Sequence, residues 1–344
     1  MSCPFCSVEL PEERRPGDHP ELFACEECLN PFVAQWEGNV VACHPLPRAQ
    51  DVRQLAPEGS IGGAILEQMP QSIENLPVLP EISQRVLCMV RDPEVSMNDL
   101  AAVIREDQVI ALKIMRLANS PVYGGLHEVR DLNTACARLG MHTIANAVQA
   151  VASANLYITG DKRLQEVMRR LWRHSIAAAH CASELGSLLA LPRPEALFLA
   201  GLIHDIGKVV LLDMISGNYQ GTIGKLRESS EVFTEVLERF HPLIGLHVSQ
   251  RWGLPPEFNA LVFCHHAPAQ APNEETAPLV HAVCLANRIA HAEGYSVTGE
   301  SEEEFLTGHA SARYLNLTDI KLAALRVDLA DKLEALLETF TQDS

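Results

Sequence analysis

Residues 195–212 read EALFLAGLIHDIGKVVLL, an almost wholly apolar stretch that carries His204, Asp205 and Lys208 near its middle. This hydrophobicity predicts one helix, buried on all sides. An ionised carboxylate or ammonium is tolerated in such a place only when it is paired, hydrogen-bonded or bound to a metal. The rest of the chain must therefore supply partners, and histidines are the candidates. They are His174 upstream and His241, His265 and His266 downstream.

The composition indicates a helical protein with a full-sized core. The chain has 344 residues, of which 47% are hydrophobic and only 5% aromatic. A chain of this length is expected to form two or three domains. Few aromatic residues and many alanines and leucines favour helices over a β-sandwich or barrel.

The net charge and the N-terminal sequence restrict the expected binding partners and the expected location of the protein. A formal charge of -17 makes sequence-blind binding to nucleic acid or to an anionic membrane unlikely. No apolar run reaches membrane-spanning length. Cysteines occupy the place where a signal peptide would need an unbroken apolar segment, so we expect a cytoplasmic protein.

The first 45 residues contain two Cys-x-x-Cys pairs, formed by Cys3 with Cys6 and by Cys25 with Cys28. Each pair can present two thiolates to one tetrahedral ion, and two pairs complete its coordination, so residues 1–45 are predicted to form a zinc ribbon. A redox dithiol or unpaired thiols are the alternatives. A segment this short has little core of its own, and zinc would supply much of its folding free energy.

The other sequence signals in this module are less specific. The run from Phe32 to Val41 is typical of the short strands of a ribbon. Cys43 and His44 form a second, less specific metal-ligand pair. Zinc ribbons bind protein or nucleic acid, or hold a terminus in shape, and Glu26 and Glu27 between the second cysteines make nucleic acid the less favoured partner.

A polar, proline-containing linker is predicted at residues 46–60, followed by short amphipathic helices over residues 61–157. Ser96 is a good N-cap, and Pro93 ends the helix before it. Ile110, Ile114 and Leu117 share one face of a further helix. This pattern alone predicts a helical array and assigns it no activity.

Several motifs in a fixed order resemble the HDOD domain, a bacterial helical signalling module related to HD-type metal-dependent phosphohydrolases. They are LPEISQRVLCMVRDPEVSMNDLAAVIRED, RLGMHTIANAVQAVA, RHSIAAAH, LAGLIHDIGKVVLL, HPLIG, HVSQRWGLP, FCHHAP and VCLANRIAH. The resemblance covers residues 61–290, with an N-terminal helical part at 61–157 and an HD-like part at 158–290. It implies an all-α helical bundle and a regulatory domain that has lost parts of the catalytic set.

The resemblance also implies a ligand set. HD phosphohydrolases hold two or three metals inside a helical bundle, and their chemistry needs neutral imidazoles, a bridging carboxylate and an activated water. Asp205 falls on the bridging position, and Lys208 falls where the family places a lysine near the substrate phosphate. The implied metal ligands are His174, His204, Asp205, His241, His265 and His266, for manganese, iron or zinc.

Two residues depart from the pattern of the enzymes and weaken this implication. Asn287 replaces a late aspartate, which removes a negative charge from the site and should lower metal affinity. Arg170 stands where trinuclear enzymes carry a glutamate, and a guanidinium cannot bind a third ion. The GYP element is absent after the histidine pair, which argues against cyclic-di-GMP hydrolysis.

Three interpretations of the cluster stay open at this point. One metal or a weakly held pair binds, and the site hydrolyses or senses a phosphate ester. Alternatively, Arg170, with Arg169 and Arg173 nearby, replaces the charge of the metal. Arg170 and Lys208 then bind an anionic or nucleotide ligand without turnover. In the third, Asp205 is satisfied by imidazoles and by Lys208 one helical turn away. The other histidines, His180 and His291 among them, are expected to be ordinary core or surface residues.

Residues 291–344 are predicted to form an acidic loop and an amphipathic helix that begins at Thr318 or Asp319. Its apolar stripe comprises Leu322, Leu325, Leu329, Leu333, Leu336 and Phe340. The helix either folds back on the bundle or binds a partner or a second copy; the oligomeric state stays open.

The favoured function is a regulatory signal-transduction module that binds a protein partner. The alternative is a metal-dependent phosphohydrolase of a nucleotide or other phosphate ester, with His204, Asp205 and Lys208 as candidate catalytic residues.

Overall fold

The computed structural model describes residues 2–10, 16–37, 40–45, 60–76, 81–125, 127–216, 230–297 and 306–341. The predicted linker, apart from Ser60, and the predicted acidic run lie outside these residues. None of the helices in the described part of the chain is long and apolar enough to cross a bilayer. The expected architecture, an all-α helical bundle with a small zinc-ribbon-like module at the N-terminus, is confirmed.

The N-terminal module is a small antiparallel sheet beside two cysteine turns. Strands β1 (Glu21–Ala24), β2 (Pro31–Glu37) and β3 (Val40–Pro45) pair in sequence order. The two turns repeat one backbone geometry, because Ser7 and Leu29, each directly after the second cysteine of its pair, both have a positive φ, of 62° and 63°. The predicted strands of this module are therefore present.

The helices form one connected body around a shared apolar core. They are α1 Ile61–Asn75, α2 Glu81–Arg91, α3 Met97–Ile104, α4 Gln108–Ala118, α5 Leu132–Leu139, α6 Met141–Ser153, α7 Lys162–Leu188, α8 Pro194–Ile203, α9 Ile206–Ser216, α10 Ser230–Arg251, α11 Pro256–Phe263, α12 Ala277–Ala292, α13 Ala310–Tyr314 and α14 Asp319–Thr341. The long helix α7 is central, since α8, α12 and α14 all pack against it.

Local sequence explains where several helices begin. The Ser96 side chain accepts from the Asp99 amide while the Asp99 carboxylate accepts from the Ser96 amide, a reciprocal cap at the start of α3. Asp107 and Asp131 cap α4 and α5 in the same N-terminal position. The predicted cap at Ser96 is confirmed, and α2 ends before Pro93, as predicted.

The prediction of one continuous helix over residues 195–212 is wrong. Helix α8 ends at Ile203 and α9 begins at Ile206, so His204 and Asp205 lie in the turn between them. Glycines on both sides permit close backbone approach. A Cβ on Gly201 would lie 2.6 Å from Ala179 Cα of α7, and one on Gly207 would lie 2.0 Å from the His241 carbonyl oxygen of α10. The turn is thereby held between two helices that each carry a histidine.

The ribbon-like module packs directly on the helical body. Leu22, Ala24 and Leu29 are buried in the same apolar core as the helices. The Asn259 amide of α11 donates to the Leu22 carbonyl at 2.8 Å, and the Ala24 amide donates to Gln250 Oε1 of α10 at 3.2 Å.

The C-terminal helix α14 folds back onto the bundle. Leu322, Leu325, Leu329, Leu333 and Leu336 are all at most 8% exposed, so the predicted leucine stripe packs within the chain itself. The Thr318 hydroxyl accepts from the Lys321 amide and marks the start of the helix, as predicted. The side chain of Phe340 lies outside the described residues.

Candidate metal centre

Asp205 is the centre of a buried cluster of imidazoles. Its Oδ1 lies 3.2 Å from His241 Nε2 and 3.7 Å from His265 Nε2. Its Oδ2 lies 3.5 Å from His204 Nε2 and 3.6 Å from His174 Nε2. All five side chains are at most 1% exposed. The two carboxylate oxygens therefore face two different pairs of histidines.

Backbone hydrogen bonds orient these four rings. Each Nδ1 lies 2.6–2.7 Å from a main-chain carbonyl oxygen, and since a carbonyl only accepts, each Nδ1 carries the proton. In a neutral ring, Nε2 then has a lone pair and no hydrogen. Such an Nδ1–carbonyl contact is the usual support of a histidine that binds a metal through Nε2. The carbonyls belong to Tyr295, Gly201, Leu237 and Val262.

The resulting nitrogen pairs are closer than two lone pairs tolerate without a cation between them. His174 Nε2 and His204 Nε2 are 3.3 Å apart, and His241 Nε2 and His265 Nε2 are 3.1 Å apart. Burial lowers the pKa of His174 and His241 well below the ordinary value and that of His204 to about 4, so the rings are neutral near pH 7. The donor set therefore fits a divalent metal ion better than it fits an empty hydrogen-bond network.

The cluster divides into two candidate subsites that share Asp205. One contains His174, His204 and Asp205, and the other contains Asp205, His241, His265 and His266, with ligand atoms within 4.8 Å of one another in each. His266 differs from the rest because its side chain is 43% exposed, although its Nε2 is 3.1 Å from His241 Nε2. All six residues expected from the sequence lie together.

Lys208 and Glu238 close one side of the cluster. Lys208 Nζ lies 2.9 Å from Asp205 Oδ2 and 2.8 Å from Glu238 Oε1. Although burial disfavours the charged ammonium, these two carboxylates raise the pKa of Lys208 above its ordinary value, so it stays protonated. Glu238 also lies 3.7 Å from His266 Nε2 and is half exposed. Glu238 was missed by the sequence reasoning, although it lies three residues before His241 on α10.

Asn287 and His291 lie one helical turn apart on α12, which packs against α7. The His291 ring is 4.7 Å from the His174 ring, centroid to centroid. His291, which the sequence analysis did not include in the cluster, therefore lies beside one of its rings. Asn287 is 4% exposed, and its Oδ1 has no hydrogen-bond partner among the described residues. This orphaned oxygen is a further feature that a bound cation would satisfy.

Arg170 lines a cavity on the outer side of His174. The cavity has a volume of about 270 Å³ and is lined by Glu166, Arg169, Arg170, Arg173, Gly294, Tyr295 and Ser296. Arg170 Nε donates to Glu166 Oε1 at 2.9 Å. The Tyr295 carbonyl that accepts from His174 belongs to the same wall, so this cationic cavity and the histidine cluster share a boundary.

The four N-terminal cysteines form a second candidate centre. Cys3 Sγ and Cys28 Sγ are 3.5 Å apart, and Cys6 Sγ and Cys25 Sγ are 3.7 Å apart. A tetrahedral ion with Zn–S bonds of about 2.3 Å requires S···S separations of roughly 3.8 Å. The four side chains therefore fit one structural ion. His44 lies elsewhere, with its Nε2 2.8 Å from Glu37 Oε1 at the surface.

Comparison with known proteins agrees with this fold. The HDOD domain family model matches residues 76–268, more than half of the chain, and the chain belongs to this family. A curated uncharacterized protein of Treponema pallidum is 26% identical over 224 residues, which is 62% of this chain and 42% of that relative, so the match spans less than half of its length.

Solved structures with the same fold share little sequence with this chain. An HDOD protein of unknown function from Geobacter sulfurreducens is 22% identical with a TM-score of 0.66, covering 80% of this chain and 99% of that one. A proposed signal transduction protein from Marinobacter aquaeolei is 19% identical with a TM-score of 0.55, covering 90% and 76%. A proposed metal-dependent phosphohydrolase from Shewanella amazonensis is 21% identical with a TM-score of 0.52, covering 80% and 96%.

Proposed function

We propose that this chain is a regulatory HDOD module of signal transduction whose histidine and aspartate centre binds a divalent metal without turning over a substrate. The observation that carries the proposal is the set of four imidazoles around Asp205, each with its Nδ1 proton directed at a backbone carbonyl. This arrangement supports metal binding through Nε2, and manganese, iron and zinc are the candidate ions.

The burial of the cluster supports a binding role over catalysis. Asp205, His204 and His241 have no exposed surface. The Lys208 ammonium already pairs with Asp205 Oδ2, at 2.9 Å. Asn287 supplies a neutral oxygen where the enzymes of this superfamily are expected to have a carboxylate. A metal held by fewer negative charges and shielded from solvent is a poor electrophile toward an external phosphate ester.

A protein partner is the second part of the proposal. The Marinobacter protein of the same fold is described as acting in signal transduction. Val109 and Leu112, one turn apart on α4, are 59% and 50% exposed and offer apolar surface to such a partner. The chain's negative net charge disfavours nucleic acid as that partner.

A phosphohydrolase is the second candidate, and one observation favours it. His266 and Glu238 are both about half exposed, so the subsite that contains His241 and His265 has one wall in contact with solvent. A divalent ion there would act as a Lewis acid toward a phosphate oxygen. Lys208 would bind a phosphate oxygen, and Glu238 would hold or release a proton at the rim.

The test compares the full-length protein with Asp205→Asn and with the matched control Asp213→Asn, an exposed aspartate on α9. Metal content is measured by mass spectrometry after purification, and hydrolysis of bis(p-nitrophenyl) phosphate is measured with added Mn²⁺. We expect wild type and Asp213→Asn to retain at least one ion more than Asp205→Asn, with no turnover in any of them. Turnover that is lost only in Asp205→Asn would establish the second candidate. Equal metal content in all three would refute metal binding at Asp205.

A further inference from the structure

A second group of metal-binding side chains lies between α7 and the C-terminal helix α14, away from the Asp205 cluster. It consists of His180 and Glu184 on α7 and Asp328 on α14, with one ligand atom of each within 4.8 Å of the others. His180 and Glu184 are four residues apart, so they project from one face of the helix toward α14. The sequence predicted an ordinary core or surface role for His180.

The hydrogen bonding of this group is incomplete. His180 is 4% exposed, and its Nε2 has no hydrogen-bond partner among the described residues. That nitrogen faces Asp328 Oδ2 at 4.0 Å, and this oxygen is likewise buried and without a hydrogen bond in the described chain. An imidazole nitrogen and a carboxylate oxygen at this separation are too far apart for a hydrogen bond but are well placed to share an ion.

The charges around the group suit a cation. Burial lowers the pKa of His180 to about 4, so its ring is neutral and able to coordinate at pH 7. Burial also raises the pKa of Glu184, although the nearby Lys332 ammonium lowers it in part. Lys332 pairs with the other oxygen of Asp328, with Nζ 2.7 Å from Oδ1, and leaves Oδ2 facing His180.

We propose that His180, Glu184 and Asp328 form a binding site for one divalent ion of a first-row transition metal. Zn²⁺ serves as the probe for this site. One imidazole and two carboxylates are an ordinary donor set for such an ion. The partly exposed carboxylates of Asp328 and Glu184 give the ion a path from solvent. Because the ligands come from two helices, the ion would link α14 to α7, the helix that also carries His174.

The role of Lys332 distinguishes the proposed metal site from a simple ion-pair network. If the group only holds α14 against α7 through ion pairs, Lys332 stabilises this contact between the helices. If the group binds an ion, the Lys332 ammonium competes for Asp328 and repels the metal. Replacing Lys332 with a neutral residue therefore has opposite consequences in the two cases.

The experiment measures Zn²⁺ bound per full-length chain by equilibrium dialysis over a range of buffered free Zn²⁺. The variants are His180→Gln, Asp328→Asn, Lys332→Met and, as the charge-retaining control, Lys332→Arg. We expect wild type to bind one ion more than His180→Gln or Asp328→Asn. Lys332→Met should lower the Kd of that ion roughly fivefold to tenfold, and Lys332→Arg should not. Asp328 lies on a partly exposed face, so Asp328→Asn remains informative even if His180→Gln misfolds.

A second readout follows the helix itself. Limited proteolysis of α14 should slow when Zn²⁺ is added to wild type, and this protection should be absent in Asp328→Asn. Equal Zn²⁺ stoichiometry in wild type, His180→Gln and Asp328→Asn, with an unshifted isotherm for Lys332→Met, would overturn the proposal and leave only an ion-pair network.

Discussion

Lys208 Nζ lies 2.9 Å from Asp205 Oδ2, and both side chains are at most 3% exposed, so the centre of the helical body contains a buried ion pair. The same ammonium reaches Glu238 at the half-exposed rim. A cation that already neutralises the central carboxylate competes with any metal that Asp205 would bind. Lys208 therefore sets both the stability of the metal-free protein and the metal affinity of the cluster.

Lys208→Met should lower the stability of the metal-free protein and raise metal affinity at Asp205. Removing one partner of a buried ion pair costs about 3–5 kcal/mol, because the remaining charge is left unpaired. Urea unfolding measures the first effect and Mn²⁺ titration the second. Lys162→Met, at the exposed start of α7, is the control. A variant that is destabilised but binds Mn²⁺ no more tightly would show that no metal competes for this carboxylate.

Asn287→Asp should raise metal affinity at the histidine cluster. The substitution restores a negative charge at a buried position whose amide oxygen has no hydrogen-bond partner in the described chain. We expect at least a tenfold lower Kd for Mn²⁺, which corresponds to about 1.4 kcal/mol. Titration by isothermal calorimetry provides the measurement. Unchanged affinity would exclude residue 287 from the coordination sphere.

Arg170→Glu should weaken the binding of an anionic ligand in the cavity beside His174. The cavity contains three arginines, so reversing one of them replaces an attraction for phosphate with a repulsion. A fluorescent nucleotide and inorganic phosphate are suitable probes, and we expect a loss of roughly tenfold or more for either. Arg163→Glu, near the exposed beginning of the same helix, should bind as wild type does. Equal affinity in Arg170→Glu and Arg163→Glu would show that Arg170 does not contact the ligand.

Loss of the ribbon metal should loosen the helical body as well. Leu22 and Leu29 are buried against α10 and α11, and burying a leucine contributes about 1.5–3 kcal/mol. Cys28→Ser should therefore lower the free energy of unfolding by roughly 3 kcal/mol and increase hydrogen exchange in α10 and α11. Cys88→Ser, at an exposed position of α2, is the control. Unchanged exchange in α10 and α11 would show that the ribbon folds and unfolds independently.

Acid should destabilise the metal-free protein between about pH 6.5 and pH 4. Burial lowers the pKa of His204 and of His180 to about 4, so the unfolded chain takes up their protons first as the pH falls. Each such group decreases the free energy of unfolding by up to about 1.4 kcal/mol per pH unit within this window, with no further loss below it. Urea unfolding at pH 7, 6 and 5 should show a shallower dependence for His204→Asn than for the exposed variant His127→Asn. Equal slopes would contradict burial as the cause.

Motif order and local chemistry in the sequence determined the helical class, the caps and the identity of the six side chains of the Asp205 cluster. Four cysteines in two Cys-x-x-Cys pairs predicted the ribbon-like module, since the geometry of a tetrahedral ion is encoded in a spacing of two residues. Ser96 and Thr318 predicted the beginnings of helices for a similar reason, because a cap is a contact between near neighbours in the chain.

Only the tertiary structure decided what depends on distant residues. The break at His204 and Asp205 follows from the contact of Gly207 with the His241 backbone, which no periodicity in residues 195–212 reveals. Glu238 joins the centre because α10 packs against α9, and His180 faces Asp328 because the C-terminal helix folds back. Local sequence encodes contacts between residues one turn apart, whereas these pairings form only when separate helices share one core.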